Sequence, residues 1–440
     1  MIQRNFLLAG AALAVLIVGS TSAADAAAAP RAHHHAKLAE NPLIAENLAL
    51  KEQIQALATR LDAVEAAQHQ VQAQAQTTAQ QAQVAEARAE AQIQTIPAEV
   101  SHQLAALPKP KKTWSDATTI SGRMYYDVSN ISQESNGAKV APSGTGLDIK
   151  RFYLGVDHRF NDTYSANLTT DVQYASAISA TELYIKKAYL QARYSDALTV
   201  RVGSADLPWI PFAEDVYGYR FIEQTVSDRT KFGTSADWGV HALGALPGGV
   251  VSYAISVIDG AGYKAPLRSK GLDVEGRVSA KLDNVTLAIG GYSGKLGKDV
   301  QAGAPTFHAA NRFNALAAYT TKDFRVGVEY FSTSNWTSVA TAAKDSSDGY
   351  SLFGSYNLTG QVSAFGRYDA VNPNKDTASA KSDAYFNIGL NYEPVKIVDL
   401  ALVYKRDEVD HGTLATGNGT LGGTLKGTYD EVGLFGQFRW

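Results

Sequence analysis

The chemistry on offer in this sequence is charge placed at alternate positions. Between Trp114 and Trp440, one phase of a series of period-two stretches carries Arg123, Arg151, Lys187, Arg193, Arg201, Arg277, Arg312, Arg325 and Arg367. The same phase carries Asp127, Asp157, Asp171, Asp273, Glu275, Glu329 and Asp369. The segment 206–233 adds Glu214, Asp215, Arg220, Glu223, Asp228, Arg229 and Lys231, among Pro208, Trp209, Pro211, Phe212 and Tyr217. Charges of both signs on a water-filled surface set a field that acts on charged and dipolar solutes. The plainer reading of any one of them is a rung in a salt-bridge ladder.

Bond-making chemistry is poorly supplied. Gly417-Asn418-Gly419-Thr420-Leu421-Gly422 matches a dinucleotide-binding spacing, but no strand-to-helix pattern surrounds it. His158, His241 and His308 have no metal-ligand spacing, and His33-His34-His35 reads as a solvated linker tract. With Cys 0, disulfides and thiolate metal sites are excluded. No catalytic residue, metal or cofactor is expected, and the chain is not read as an enzyme. Lys+Arg 40 against Asp+Glu 43 gives a net charge of -3, which argues against a nucleic-acid partner.

The elements that must carry these charges are strands. Ile120, Gly122, Met124, Tyr126 and Val128 share one face, and Ser121, Arg123, Tyr125, Asp127 and Ser129 the other. Tyr164 to Tyr174 and Leu272 to Leu282 repeat the alternation. About sixteen such stretches can be counted, each near the length of a tilted membrane-crossing strand. Short turns (Asn161-Asp162, Ser195-Asp196, Asp283-Asn284, Lys322-Asp323) alternate with longer polar connections, read at 130–147, 206–233, 259–270, 293–308, 332–348, 370–383 and 407–427. In hydrocarbon every backbone polar group needs an internal partner, so such a sheet must close. The fold class is therefore all-β: a sixteen-stranded antiparallel transmembrane β-barrel over 114–440. Its apolar phase faces lipid and its polar phase faces water. Tyr126, Tyr164, Tyr174, Tyr194, Tyr319, Tyr330, Tyr392 and Tyr404 fall near the ends of apolar phases, where interfacial girdles belong. The prolines and aromatics of 206–233 make it too stiff and sticky for a floppy loop. It is read as folded into the lumen as a constriction, in preference to an external loop packed on a neighbouring subunit.

Ahead of the barrel, Arg4 and the apolar run Phe6 to Val18 read as a signal peptide over 1–26, followed by a linker over 27–42. From 43 to 95 the seam Leu43, Asn47, Leu50, Ile54, Leu57, Leu61, Val64, Gln68 and Val71 keeps a heptad spacing, which predicts an α-helical coiled coil. Pro108-Lys109-Pro110-Lys111-Lys112 sits in a stiff basic linker over 96–113.

Two stretches resemble the phosphate-selective (O/P-type) porins of bacterial outer membranes. They are Ile149-Lys150-Arg151-Phe152-Tyr153-Leu154-Gly155-Val156, running on to Asp171, and Lys187-Ala188-Tyr189-Leu190 with Leu198 to Gly203, Leu207-Pro208 and Glu214. The resemblance implies a homotrimeric porin in outer-membrane lipid, with basic wall residues guiding anions; Lys150, Arg151 and Arg201 match that pattern. Where the family often has a lysine after the glycine, this chain has Gly203-Ser204-Ala205-Asp206. The expected function is passive diffusion of small hydrophilic solutes or ions, with anions such as phosphate among the candidates. The alternative is a structural tether, its coil in the periplasm linking outer membrane to cell wall, with peptidoglycan as partner.

Overall fold

The computed structural model describes residues 42–94, 113–175 and 180–440. The expected signal peptide and nearly all of both linkers lie outside the described residues. The chain divides into two units, Met1–Lys109 and Pro110–Trp440.

In the first unit, α1 (Pro42–Gln94) is a continuous helix of 53 residues. Its Ala, Gln, Glu and Leu content has high helix propensity, and neither Pro nor Gly interrupts it after its first residue. Leu50, Ile54, Leu57, Leu61, Val64 and Val71 are all more than half exposed. These seam residues thus have no cover from their own chain among the described residues. No described helix is long and apolar enough to cross a membrane.

The second unit is a closed antiparallel barrel. Its strands are β1 (Thr118–Ser135), β2 (Ala138–Arg159), β3 (Tyr164–Ala175), β4 (Ala180–Ser195), β5 (Leu198–Asp206), β6 (Ala236–Ala245), β7 (Val251–Ile258) and β8 (Asp273–Leu282). There follow β9 (Val285–Gly294), β10 (Ala310–Thr320), β11 (Phe324–Ser334), β12 (Ser346–Asn357), β13 (Val362–Asn372), β14 (Ser382–Val395), β15 (Val398–Thr416) and β16 (Gly419–Arg439). Each strand pairs with its sequence neighbours, and β1 pairs with β16 to close the ring. The terminal residue joins the closure: Trp440 N–H donates to the Gly122 carbonyl and Gly122 N–H to that of Trp440, both at 3.1 Å. Outward Leu168, Val202, Val278, Ile289, Val326, Leu352, Ile388 and Leu402 are exposed on the single chain, as a lipid-facing wall requires. Half-exposed rings mark two belts, with Tyr164, Tyr319, Tyr356 and Tyr392 on the short-turn side and Tyr174, Tyr330, Tyr350 and Tyr368 on the long-loop side.

Two connections read as long loops are strands instead. β1 and β2 continue through 130–147 and meet at Asn136-Gly137, both with positive φ (52° and 80°). Such a pair favours a tight hairpin turn whose twist matches its strands. β15 and β16 continue through most of 407–427 and turn at Gly417-Asn418. In these extensions the polarity of the sheet inverts. On β15 the outward series runs Leu400, Leu402, Tyr404 and then Arg406, Glu408, while Val409 and Leu414 turn inward onto Ile131, Leu421 and Tyr429. The extensions rise past the girdle into water, so the lipid-facing pattern stops there.

Candidate functional site

The segment 207–235 between β5 and β6 crosses the barrel interior and carries α2 (Ile210–Tyr217) and the single turn α3 (Val226–Arg229). Pro211 lies in the first turn of α2, where its missing N–H costs nothing. Gly218 ends it at φ 94°, a backbone conformation that residues with a Cβ rarely adopt.

Part of the inner wall receives this segment with apolar side chains. Trp209, Ile210, Ala213 and Tyr217 pack on Ala288, Leu316, Ala318 and Phe353. Phe221 and Ile222 pack on Tyr125, Phe365, Ala401, Val403 and Phe435, and Val226 and Phe232 on Phe331 and Val371. Tyr217 stacks on Phe353 at 4.0 Å between centroids, and Tyr219 on Phe365 at 4.4 Å. Each fully buried large side chain contributes about 1.5–3 kcal/mol.

Polar staples fix the same contact. Glu329, wholly buried, accepts from Trp209 Nε1 (2.8 Å), Tyr217 Oη (2.6 Å) and Ser227 Oγ (3.2 Å). Arg312 donates to the Phe232 carbonyl (2.7 Å) and pairs with Glu275 (2.8 Å), which also accepts the Trp209 N–H (2.9 Å). Arg277 donates to the Pro208 carbonyl (2.8 Å), Arg325 to that of Tyr217 (2.8 Å) and Arg367 to that of Gln224. Arg229 meets Asp383 (2.6 Å), Asp407 (3.0 Å) and Asp369 (3.1 Å), and its guanidinium lies over Tyr385 at 4.5 Å; none of these ion-pair side chains is exposed. Arg367 joins the group through Asp369 at 2.6 Å. Lys405 pairs with Glu431 (2.5 Å) and Glu223 (3.6 Å). Asp228 is buried and accepts from Gln224 at 2.5 Å.

This corrects the reading of several wall residues as lumen-lining. Arg312, Glu329 and Arg367 are on the inward phase, but the crossing segment covers them and takes their hydrogen bonds. Arg277 and Arg325 bond to the same segment, are half-buried and also line open space. Sequence periodicity assigns the phase and is blind to where a distant loop lands.

Part of the wall along β1 to β5 is left open. Here a cavity of about 710 Å³ opens between the wall and α2. Arg123, Asp157, Lys186, Lys187 and Asp206 line it from the strands, and Glu214, Asp215 and Arg220 from the segment. Lys187 pairs with Asp206 at 2.5 Å, and Arg220 with Glu214. Arg193 and Arg201 line a second cavity of about 880 Å³ beside the turns 196–197 and 246–250. Arg193 pairs with Asp196 at 2.5 Å, and Arg201 donates to Gln191 (2.9 Å) over the Tyr189 ring. Arg151 pairs with Asp171 at 2.8 Å. Asp127, read as lumen-lining, is buried instead, 3.3 Å from Lys150 and accepting from the Ser129 hydroxyl at 2.9 Å. Lys231 is exposed, with a positive φ of 64°.

Lys186 is the lining residue the sequence reading missed. Strict alternation puts it on the lipid face beside inward Lys187. The register slips between Thr169 and Thr170, so β4 holds a bulge that turns both lysines inward. The Ser204 hydroxyl donates to the Lys186 carbonyl at 2.7 Å, and Gly203 opposite has φ 127°, with Ala188 O only 2.1 Å from where a Cβ would stand. A second slip admits Lys150 beside Arg151. The sequence signal for both is an adjacent basic pair inside an alternating strand.

No family model matches the chain, and no curated protein matches it. Solved structures do. An anion-selective porin from Comamonas acidovorans superposes with a TM-score of 0.55 at 13% identity, over 73% of this chain and 99% of that one. OmpF of Salmonella typhi, in complex with daunomycin, gives 0.53 at 13% identity, over 74% and 99%. OmpT of Vibrio cholerae, an outer-membrane protein in its trimer form, gives 0.52 at 12% identity, over 73% and 99%. What the chain shares with these proteins is the sixteen-stranded closed barrel itself.

Proposed function

We propose that this protein is an outer-membrane porin that passes small hydrophilic solutes and ions by passive diffusion, without catalysis. The observation that carries the reading is a closed barrel, apolar outside, whose inner segment leaves a charge-lined cavity against β1 to β5. In this reading 207–235 is the constriction. Arg123, Lys187, Glu214, Asp215 and Arg220 set the field there, and Arg193 and Arg201 extend it toward the short-turn mouth. The residues under the segment hold the constriction in place. Planar bilayers test it: the purified mature protein inserts as stable, stepwise conductance. Absence of any ion current from folded protein removes the proposal.

The resemblance to O/P-type porins supports anion passage through Lys150, Arg151 and Arg201. Against phosphate specificity, Lys150 and Arg151 both meet carboxylates here. We therefore read a general channel, and a reversal potential in a salt gradient decides its ion preference. Homotrimerisation is supported by the uncovered seam of α1, which suits a bundle of identical helices in the periplasm. The same helix favours a second role as a tether to peptidoglycan. Deleting 38–95 then releases the protein from the cell-wall fraction while conductance persists.

A further inference from the structure

The cavity against β1 to β5 holds both paired and unpaired charges, and the unpaired ones come in both signs. Lys187 is neutralised by Asp206, and Arg220 by Glu214. Arg439 is drawn off to Asp399 at 3.1 Å. Arg123 has only the Tyr125 hydroxyl, at 3.2 Å. Lys186 has no carboxylate within ion-pair distance among the described residues; its ammonium lies 4.7 Å from the centre of the Tyr153 ring. Opposite them, Asp215 stands on α2 without an ion pair among the described residues, and Asp157 accepts only from Asn167, at 2.8 Å.

These groups are arranged in order. Lys186 and Arg123 gather around Tyr153, since Arg123 is paired with Tyr153 across β1 and β2. Asp157 lies four residues further along β2, about 13 Å toward the short-turn mouth at the ordinary strand rise. Asp215 faces this wall from α2. A solute in the cavity therefore meets two cations and two anions that lie outside ion-pair distance of any partner among the described residues, with Lys186 set back in the wall. A purely anionic solute gains from Lys186 and Arg123 and is repelled by Asp215 and Asp157; a cationic one meets the reverse. A solute carrying both charges gains at both. A cavity of about 710 Å³ is in the size range of small-molecule sites and leaves room for water around an amino acid.

We propose that the cavity lined by Lys186, Arg123, Asp215 and Asp157 selects small zwitterions of the amino-acid and dipeptide class. The inference rests on the porin reading and adds a solute class to it.

The test uses four isosteric probes and the full-length protein in liposomes. L-alanine is zwitterionic, L-lactate anionic, alaninamide cationic and lactamide neutral. Alanine enters about three- to tenfold faster than each of the others, the scale of one modest differential contact. Lys186→Gln slows alanine and speeds alaninamide, while Asp215→Asn slows alanine and speeds lactate. Opposite shifts of this kind do not arise from a merely altered pore width, which moves all four probes together. Lactate or lactamide entering as fast as alanine in the unaltered protein overturns the zwitterion inference and leaves the porin standing. Uniform changes across the four probes in both variants overturn it as well. Entry of none of the four above protein-free liposomes overturns both readings.

Discussion

The two sides of the barrel interior use the same residue types for opposite ends. Under the crossing segment, Arg229, Arg367, Glu329, Asp369, Asp383 and Asp407 are buried and pair among themselves or with the segment. On the β1 to β5 side, exposed Arg123 faces a cavity and keeps part of its charge unspent, and Lys186, itself buried, reaches the same cavity without an ion pair among the described residues. An inward charge is thus not by itself a transport residue. A covered charge is structural, because burial makes its loss costly and leaves its partners stranded. An uncovered charge contributes little to stability and acts on whatever enters.

The strongest way to break this contrast is at Arg229. It is the cation that Asp369, Asp383 and Asp407 share, and no ion-pair side chain in that group is exposed. Arg229→Ala leaves three carboxylates around an empty place, with Arg367, paired with Asp369, left to offset them. The expected cost is about 3–5 kcal/mol, the usual penalty for removing one partner of a buried pair. Because α3 carries Arg229, the strain falls on the segment before the strands. Thermal unfolding in detergent shifts down, and bilayer recordings show larger or noisier steps as the segment loosens. A quiet channel of unchanged conductance and stability would mean that the staple does not hold the segment.

Glu329 offers a smaller version. It accepts from Trp209, Tyr217 and Ser227 at once. Glu329→Gln keeps the shape but replaces one acceptor oxygen by a donor, so one buried donor loses its partner. About 1–3 kcal/mol is expected. Trp209 reports the change through its fluorescence, since its indole N–H points at the altered group. Unchanged Trp209 emission together with unchanged stability removes Glu329 from the set of anchors.

How far this contrast was legible in the sequence follows from which rules are local. Alternation is local, so the strands, their inward and outward phases and the fold class could be read from stretches such as Ile120 to Val128 or Leu272 to Leu282. The stiffness of 206–233 was local too, in its prolines and aromatics. Coverage is not local: nothing near Arg312 or Arg367 says that a segment many residues earlier in the chain will lie on them. Bulges defeat the count by one residue, which is why strict alternation from inward Lys187 does not find Lys186. The rule also ends at the girdle. Past Tyr404 the outward positions turn polar and Val409 turns inward, so a pattern tuned to lipid reads a water-exposed sheet as a loop. The Asn136-Gly137 turn signal was the local clue that would have rescued that hairpin.

The finest test of the comparison lies on the uncovered side, at Arg123. It lines the cavity, donates to a single tyrosine hydroxyl and has no carboxylate within ion-pair distance among the described residues. If the contrast is right, Arg123→Gln changes thermal stability by no more than about 0.5 kcal/mol, as for an ordinary surface substitution. It does change the field, because removing one of two unspent cations leaves Asp215 and Asp157 in excess. The reversal potential in a salt gradient therefore moves toward cation preference, and more so at low ionic strength, where screening is weakest. Arg312→Gln supplies the opposite behaviour within the same phase of the same barrel: a loss of stability through Glu275 and the Phe232 carbonyl, and little direct effect on selectivity. Should Arg123→Gln destabilise the protein as much as Arg312→Gln while leaving the reversal potential fixed, covered and uncovered charges would be doing the same job, and the division of the interior would fail.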